Sequence, residues 1–171
     1  MLYPDYIAEL ASLCKENGIS VAIDTAGCVP FDSFERVLPY ADLFLYDLKA
    51  IDPDLHKCGT GRENRLILEN LDRLIAAGKR IMIRVPVIPG FNDTPAEIAA
   101  IARFAESLPN VHELPLLPYH RLGTDKYTGL GREYTLSHLT PPTAAHMQML
   151  KETAERESQK LTCHLRVQIG G

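Results

Sequence analysis

The chain has 171 residues, 46% of them hydrophobic, and a formal charge of −4, which fits one domain with a sizeable core. That mild acidity excludes the basic footprint expected of a nucleic-acid or acidic-membrane partner. No apolar run is long enough to cross a bilayer and "MLYPDYIAEL" lacks an export signal, so the chain reads as cytoplasmic. "YIAELASLCKENG" places Ile7, Leu10, Leu13 and Cys14 at helical spacing and stops at Gly18. "ISVAIDTAG" reads as a strand, "FDSFERVLPYA" as helix and "LFLYDLK" as a buried strand. "NRLILENLDRLIAAG" is an amphipathic helix, and "RIMIRVPVIPG" is a third strand. "TPAEIAAIARFAESLP" opens with an N-cap threonine, an N1 proline and a capping-box glutamate (Thr94, Pro95, Glu97). "VHELPLLPYH" is a fourth strand weakened by Pro115, followed by a last helix over 140–160 and a tail strand in "LTCHLRVQI".

Alternation of apolar strands with helices predicts an α/β fold with a parallel sheet, whose ligand site lies at the C-terminal ends of the strands. Those ends are polar. The first carries Asp24 and Thr25, the second Asp47 and Lys49, the third Arg84, and the fourth His120. Side-chain parity puts Phe44, Tyr46 and Leu48 on one face of the second strand and Leu45, Asp47 and Lys49 on the other. The apolar face belongs under helices, and the mixed face belongs in a barrel or cleft. A rim of two acids, a threonine and three cationic or basic groups suits a zwitterionic or nucleoside-bearing ligand; the same charges also have the means to pair among themselves.

Several features are set aside. Cys14, Cys28, Cys58 and Cys163 form no CxxC and signal neither zinc nor a disulfide frame. His56, His112, His138, His146 and His164 are scattered and read as solvated or structural. "GTGRENR" matches no phosphate-binding loop. Gly123, Gly129 and Gly131 lie in the loop after His120, read either as a plain connection or as the opening toward a partner.

"IDTAGCVPFDSFERVLPYADLFLYDLKAIDPDLHKCGTGREN", "IMIRVPVIPGFND" and "LLPYHRLGTDKYTGLGREY" resemble, in order and spacing, the radical S-adenosylmethionine activases of glycyl radical enzymes, of the pyruvate formate-lyase activating type. The resemblance implies reductive cleavage of S-adenosylmethionine and hydrogen abstraction from a glycine of a partner enzyme, pyruvate formate-lyase or a relative, with a reductant such as flavodoxin. It implies S-adenosylmethionine contacts for Asp47, Leu48, Lys49, Arg84 and His120, and a monovalent cation held by Asp24, Thr25 and Asp47.

Two signatures of that family are missing here: the CxxxCxxC that holds its [4Fe–4S] cluster, and the GGEP turn. The chain therefore reads as the C-terminal part of such an enzyme, with no iron–sulfur ligands and no catalytic residue of its own, and inactive alone. The implied fold is a partial parallel (β/α) barrel, about four βα units of a six-stranded TIM-like barrel. Its N-terminal edge is uncovered, exposes apolar surface and is prone to self-association. Two other readings of the rim are a non-catalytic binding or interaction module and, from the Lys49–Asp47 pair, a Schiff-base aldolase.

Overall fold

The computed structural model describes residues 3–122, 124–158 and 165–170; Gly123, Cys163 and His164 lie outside these. In chain order the elements are α1 (Pro4–Glu16), β1 (Ala22–Thr25), α2 (Asp32–Glu35), β2 (Leu43–Asp47), α3 (Pro53–Thr60), α4 (Arg65–Ala76), β3 (Ile81–Val87), α5 (Pro95–Ser107), β4 (Glu113–Pro118), α6 (Thr124–Gly129), α7 (Ala144–Ser158) and β5 (Arg166–Ile169). The five strands form one parallel sheet in sequential order, β1-β2-β3-β4-β5. An order that never reverses keeps every crossover on one side, as in a sector of a barrel. The tail segment joins as β5, so the sheet is one strand wider than the four βα units alone.

Alternation along the strands decides the two faces. Phe44, Tyr46, Ile83, Val85, Leu114 and Leu116 are fully buried and form the core with Leu71 and Leu74 of α4, Ile98 and Ile101 of α5, and Leu150 of α7. Leu45, Asp47, Met82 and Arg84, which alternate with them, stay half-buried on the opposite face. Burying a single leucine, isoleucine or phenylalanine side chain is worth about 1.5–3 kcal/mol, so the covered face dominates the stability and fixes strand register.

Helix ends follow from local chemistry. Thr94 Oγ1 accepts from Glu97 N at 3.3 Å, with Pro95 opening α5. Glu97, however, does not close a capping box; its buried carboxylate accepts instead from the amide of Ile51, in the loop after β2. Helix α3 is an element that apolar periodicity does not announce. It is defined by its ends: Asp52 accepts from Leu55 N at 2.8 Å, Pro53 follows, and Gly61 caps it at φ +74°.

The β1 edge has no neighbouring strand among the described residues. Beside it, α1 buries only Ala11 fully, while Tyr3, Tyr6, Leu10 and Leu13 remain exposed. Together α1 and β1 line an apolar groove of about 630 Å³. The exposed apolar surface expected at the N-terminal end is present.

Two substitutions test this packing. Gly27 has φ +74°, and a Cβ there would come within 1.8 Å of Tyr46 Oη. Tyr46 is fully buried and its hydroxyl donates to Ile67 O at 2.7 Å; burial first, with nearby Cys28 and Asp72 adding to it, pushes the phenol's pKa well above its ordinary value, so the donor persists. Gly27→Ala is expected to cost about 2–5 kcal/mol in urea unfolding, from the left-handed backbone and the overlap together. Glu106 is 7% exposed, and neither carboxylate oxygen has a hydrogen-bond partner. Glu106→Met should therefore raise the urea midpoint at unchanged slope, by roughly 1–3 kcal/mol of stability.

Candidate functional site

Asp24, Asp47 and Arg84 sit side by side because β1, β2 and β3 are in register: Asp24 lies opposite Leu45, and Asp47 opposite Arg84. Arg84 Nη2 donates to Asp24 Oδ1 at 2.5 Å and to Asp47 Oδ1 at 2.7 Å, and Nε donates to Asp47 at 3.0 Å. The rim thus pairs internally through one guanidinium. Burial works against the charge on Arg84, but its hydrogen bonds to Asp47 and Asp24, and their negative charges, outweigh it and hold its pKa above the ordinary value. The Arg84 side chain is 17% exposed and that of Asp24 62%, so the Asp47 contact is the sheltered half of this bridge and the Asp24 contact the screened one.

Lys49 stands two residues beyond Asp47 on the same side. Its Nζ approaches Asp47 Oδ2 only at 3.7 Å, longer than a hydrogen bond, and the side chain is 26% exposed. Its ammonium thus has donor capacity for a ligand. Next to it a cavity of about 110 Å³ is lined by Ala26, Cys28, Asp47, Lys49, His56 and Arg62. His56, read from sequence as solvated or structural, is buried with Nδ1 2.7 Å from Arg62 O.

The remaining expected residues are placed differently. Thr25 is on the covered face, and its hydroxyl accepts from Gly27 N at 3.0 Å. The Leu48 side chain is fully buried in the core, which leaves its backbone as the part on the rim side. His120 lies two residues past β4, exposed, with Nδ1 accepting from Leu122 N at 3.3 Å. So the strands bring Asp24, Asp47, Lys49 and Arg84 into one cluster, and His120 stands on the next loop of the same rim.

Sequence reading missed the groups that hold these loops. Asn70 donates to Gly27 O and Val29 O, both at 2.7 Å. Asn64 donates to Ala50 O at 3.1 Å and Ile51 O at 2.8 Å. Asn92 donates to Lys49 O at 2.7 Å and Pro86 O at 2.8 Å, and accepts from Ile88 N at 2.8 Å. All three amides are at most 3% exposed. Phe91, next to Asn92, packs on α3 at Gly59, where a Cβ would come within 2.3 Å of the ring. The signal that could have found the amides is an asparagine beside or within an apolar segment, where it has to bond to backbone.

Cys14, Cys28 and Cys58 are free thiols on α1, in the loop after β1 and on α3. Among the described residues no three Cys, His, Asp or Glu side chains are grouped to hold a metal ion. These residues do not fit a [4Fe–4S] cluster. Among the described residues, no helix is long and apolar enough to cross a membrane.

A family model for the radical SAM superfamily matches residues 1–105. The indoleacetate decarboxylase activating enzyme of Tractidigestivibacter scatoligenes is 41% identical over 162 residues, covering 94% of this chain and 51% of that protein. The pyruvate formate-lyase-activating enzyme of Clostridium pasteurianum is 37% identical over 136 residues, 80% of this chain and 57% of that protein. A crystal structure of a domain of pyruvate-formate lyase-activating enzyme from Bacteroides vulgatus superimposes with a TM-score of 0.78 at 27% identity, covering 99% of this chain and 92% of that one. The chain spans about half the length of the two full-length relatives. With the family model covering more than half of its residues, the chain belongs to the radical SAM superfamily.

Proposed function

We propose that this chain is the S-adenosylmethionine-facing part of a glycyl-radical-enzyme activating enzyme of the pyruvate formate-lyase activating type. The observation that carries the reading is the cluster of Asp24, Asp47, Lys49 and Arg84 at the strand ends, in a chain whose relatives are named as activating enzymes. Bound S-adenosylmethionine would supply the sulfonium whose reductive cleavage allows hydrogen abstraction from a glycine of the partner. In the full-length protein a [4Fe–4S] cluster would supply the reducing chemistry, with a reductant such as flavodoxin as partner.

What this chain's own residues do is bind and orient. Lys49 offers ammonium donors to a ligand oxygen, beside an acid that is already neutralised by Arg84. Arg84 bridges Asp24 and Asp47 and holds them close together, which two bare carboxylates would resist. His120 offers an imidazole along the adenosine, and the main chain at Leu48 lines the floor between Asp47 and Lys49. A monovalent cation on Asp24, Thr25 and Asp47 would find two carboxylates on one rim. The Thr25 hydroxyl accepts from Gly27 N on the covered face, so the cation would rest chiefly on the two carboxylates. The β1 edge and the exposed face of α1 make the isolated chain prone to self-association.

The test is equilibrium dialysis of S-adenosylmethionine against the full-length enzyme. Lys49→Ala and His120→Ala should each weaken binding, Lys49→Ala by roughly tenfold or more because a charged donor is lost, with unchanged circular dichroism. Wild-type affinity in both variants would overturn the assignment. Covalent trapping of a carbonyl compound on Lys49 by borohydride would favour aldolase chemistry instead.

A further inference from the structure

Lys49 owes its place to backbone that has already left the β-ladder, since β2 ends at Asp47. Four backbone groups of residues 49–51 are held by buried side chains. The Lys49 carbonyl is held by Asn92, the carbonyls of Ala50 and Ile51 by Asn64, and the amide of Ile51 by Glu97. Of these side chains Asn92 alone bonds to Lys49 itself. It is fully buried, and both of its N–H groups are spent, one on Lys49 O and the other on Pro86 O of β3. Its carbonyl oxygen accepts from Ile88 N. An amide so occupied has no donor left for a ligand. It ties the ends of β2 and β3, the two strands that carry Asp47 and Arg84, to the residue that carries the ammonium.

We propose that Asn92 is a positioning residue for S-adenosylmethionine binding, acting through the backbone of Lys49. This rests on the reading of Lys49 given under Proposed function. A lysine side chain is long and flexible, so the direction of its Cα–Cβ bond sets where the ammonium dwells; fixing the adjoining carbonyl narrows that distribution before the ligand arrives. Asn92→Asp keeps the shape and the acceptor for Ile88 N but presents a carboxylate to two carbonyl oxygens. A role confined to stability would lower the unfolding midpoint and leave ligand affinity unchanged by the Asn92 substitution, whether lysine or alanine stands at position 49.

A double-mutant cycle in the full-length enzyme separates the two, with the S-adenosylmethionine dissociation constant measured by equilibrium dialysis for wild type, Asn92→Asp, Lys49→Ala and the pair. The expected result is a loss of about five- to tenfold for Asn92→Asp alone, the size of one displaced hydrogen-bonded group. In the Lys49→Ala background the same change should add no more than about twofold, because the ammonium it positions is gone. Losses that multiply, or no loss for Asn92→Asp, would overturn the inference while leaving the role of Lys49 intact. Unchanged affinity in Lys49→Ala would instead overturn the site reading, and this inference with it. Should Asn92→Asp fail to fold, Asn92→Ser, too short to reach both carbonyls, enters the same cycle with the same expected and overturning results.

Discussion

A parallel strand that stops hydrogen-bonding at its C-terminal end leaves amides and carbonyls of the next loop without ladder partners, and burial makes each of them costly. The rim of this sheet depends on how that demand is met. Asn70 serves the loop after β1, Asn64 and Glu97 the loop after β2, and Asn92 joins the loop after β2 to the end of β3. Because these bonds come from within the core, the loops need not wrap onto the open face to find partners. The open face is left to charged side chains.

Electrostatics on that face then follow from register. Asp47 and Arg84 are directly paired neighbours, and Asp24 is one strand further out. Arg84 carries the only charge in this group that two acids share, and it does so at 17% exposure. Shielding from water strengthens the Arg84–Asp47 pair, while the exposed Asp24 end is screened by solvent. The arrangement resembles a preloaded clasp, in which one side is sheltered and the other is open to solvent.

The two faces of the sheet were legible in the sequence because parity separates Phe44, Tyr46 and Leu48 from Asp47 and Lys49, and burial along β2 and β3 alternates as that parity requires. The rim followed from the same rule, including the possibility that its charges pair among themselves. The resemblance to glycyl-radical activases agrees with the relatives' names and with the family model. Three things were not legible. Helix α3 has too few apolar positions to show a period and is set by its caps. Glu97 satisfied a capping pattern in sequence, but a buried amide on another element competed for the same carboxylate and won. Thr25 looked like a partner of Asp24, yet consecutive residues in a strand point to opposite faces, and its hydroxyl is occupied by the turn that follows.

The buried clamps also bear on which parts of the chain open first. Amides in loops ordinarily exchange with solvent through small local fluctuations, whereas amides tied to the core exchange only when the core itself gives way. Ile51 N, held by Glu97, and Ile88 N, held by Asn92, both lie past the ends of their strands. In deuterium their protons should therefore outlast the strand boundaries and fade together with those of β2 and β3. The unit that unfolds cooperatively would then include the charged rim, which would belong to the most slowly exchanging part of the molecule.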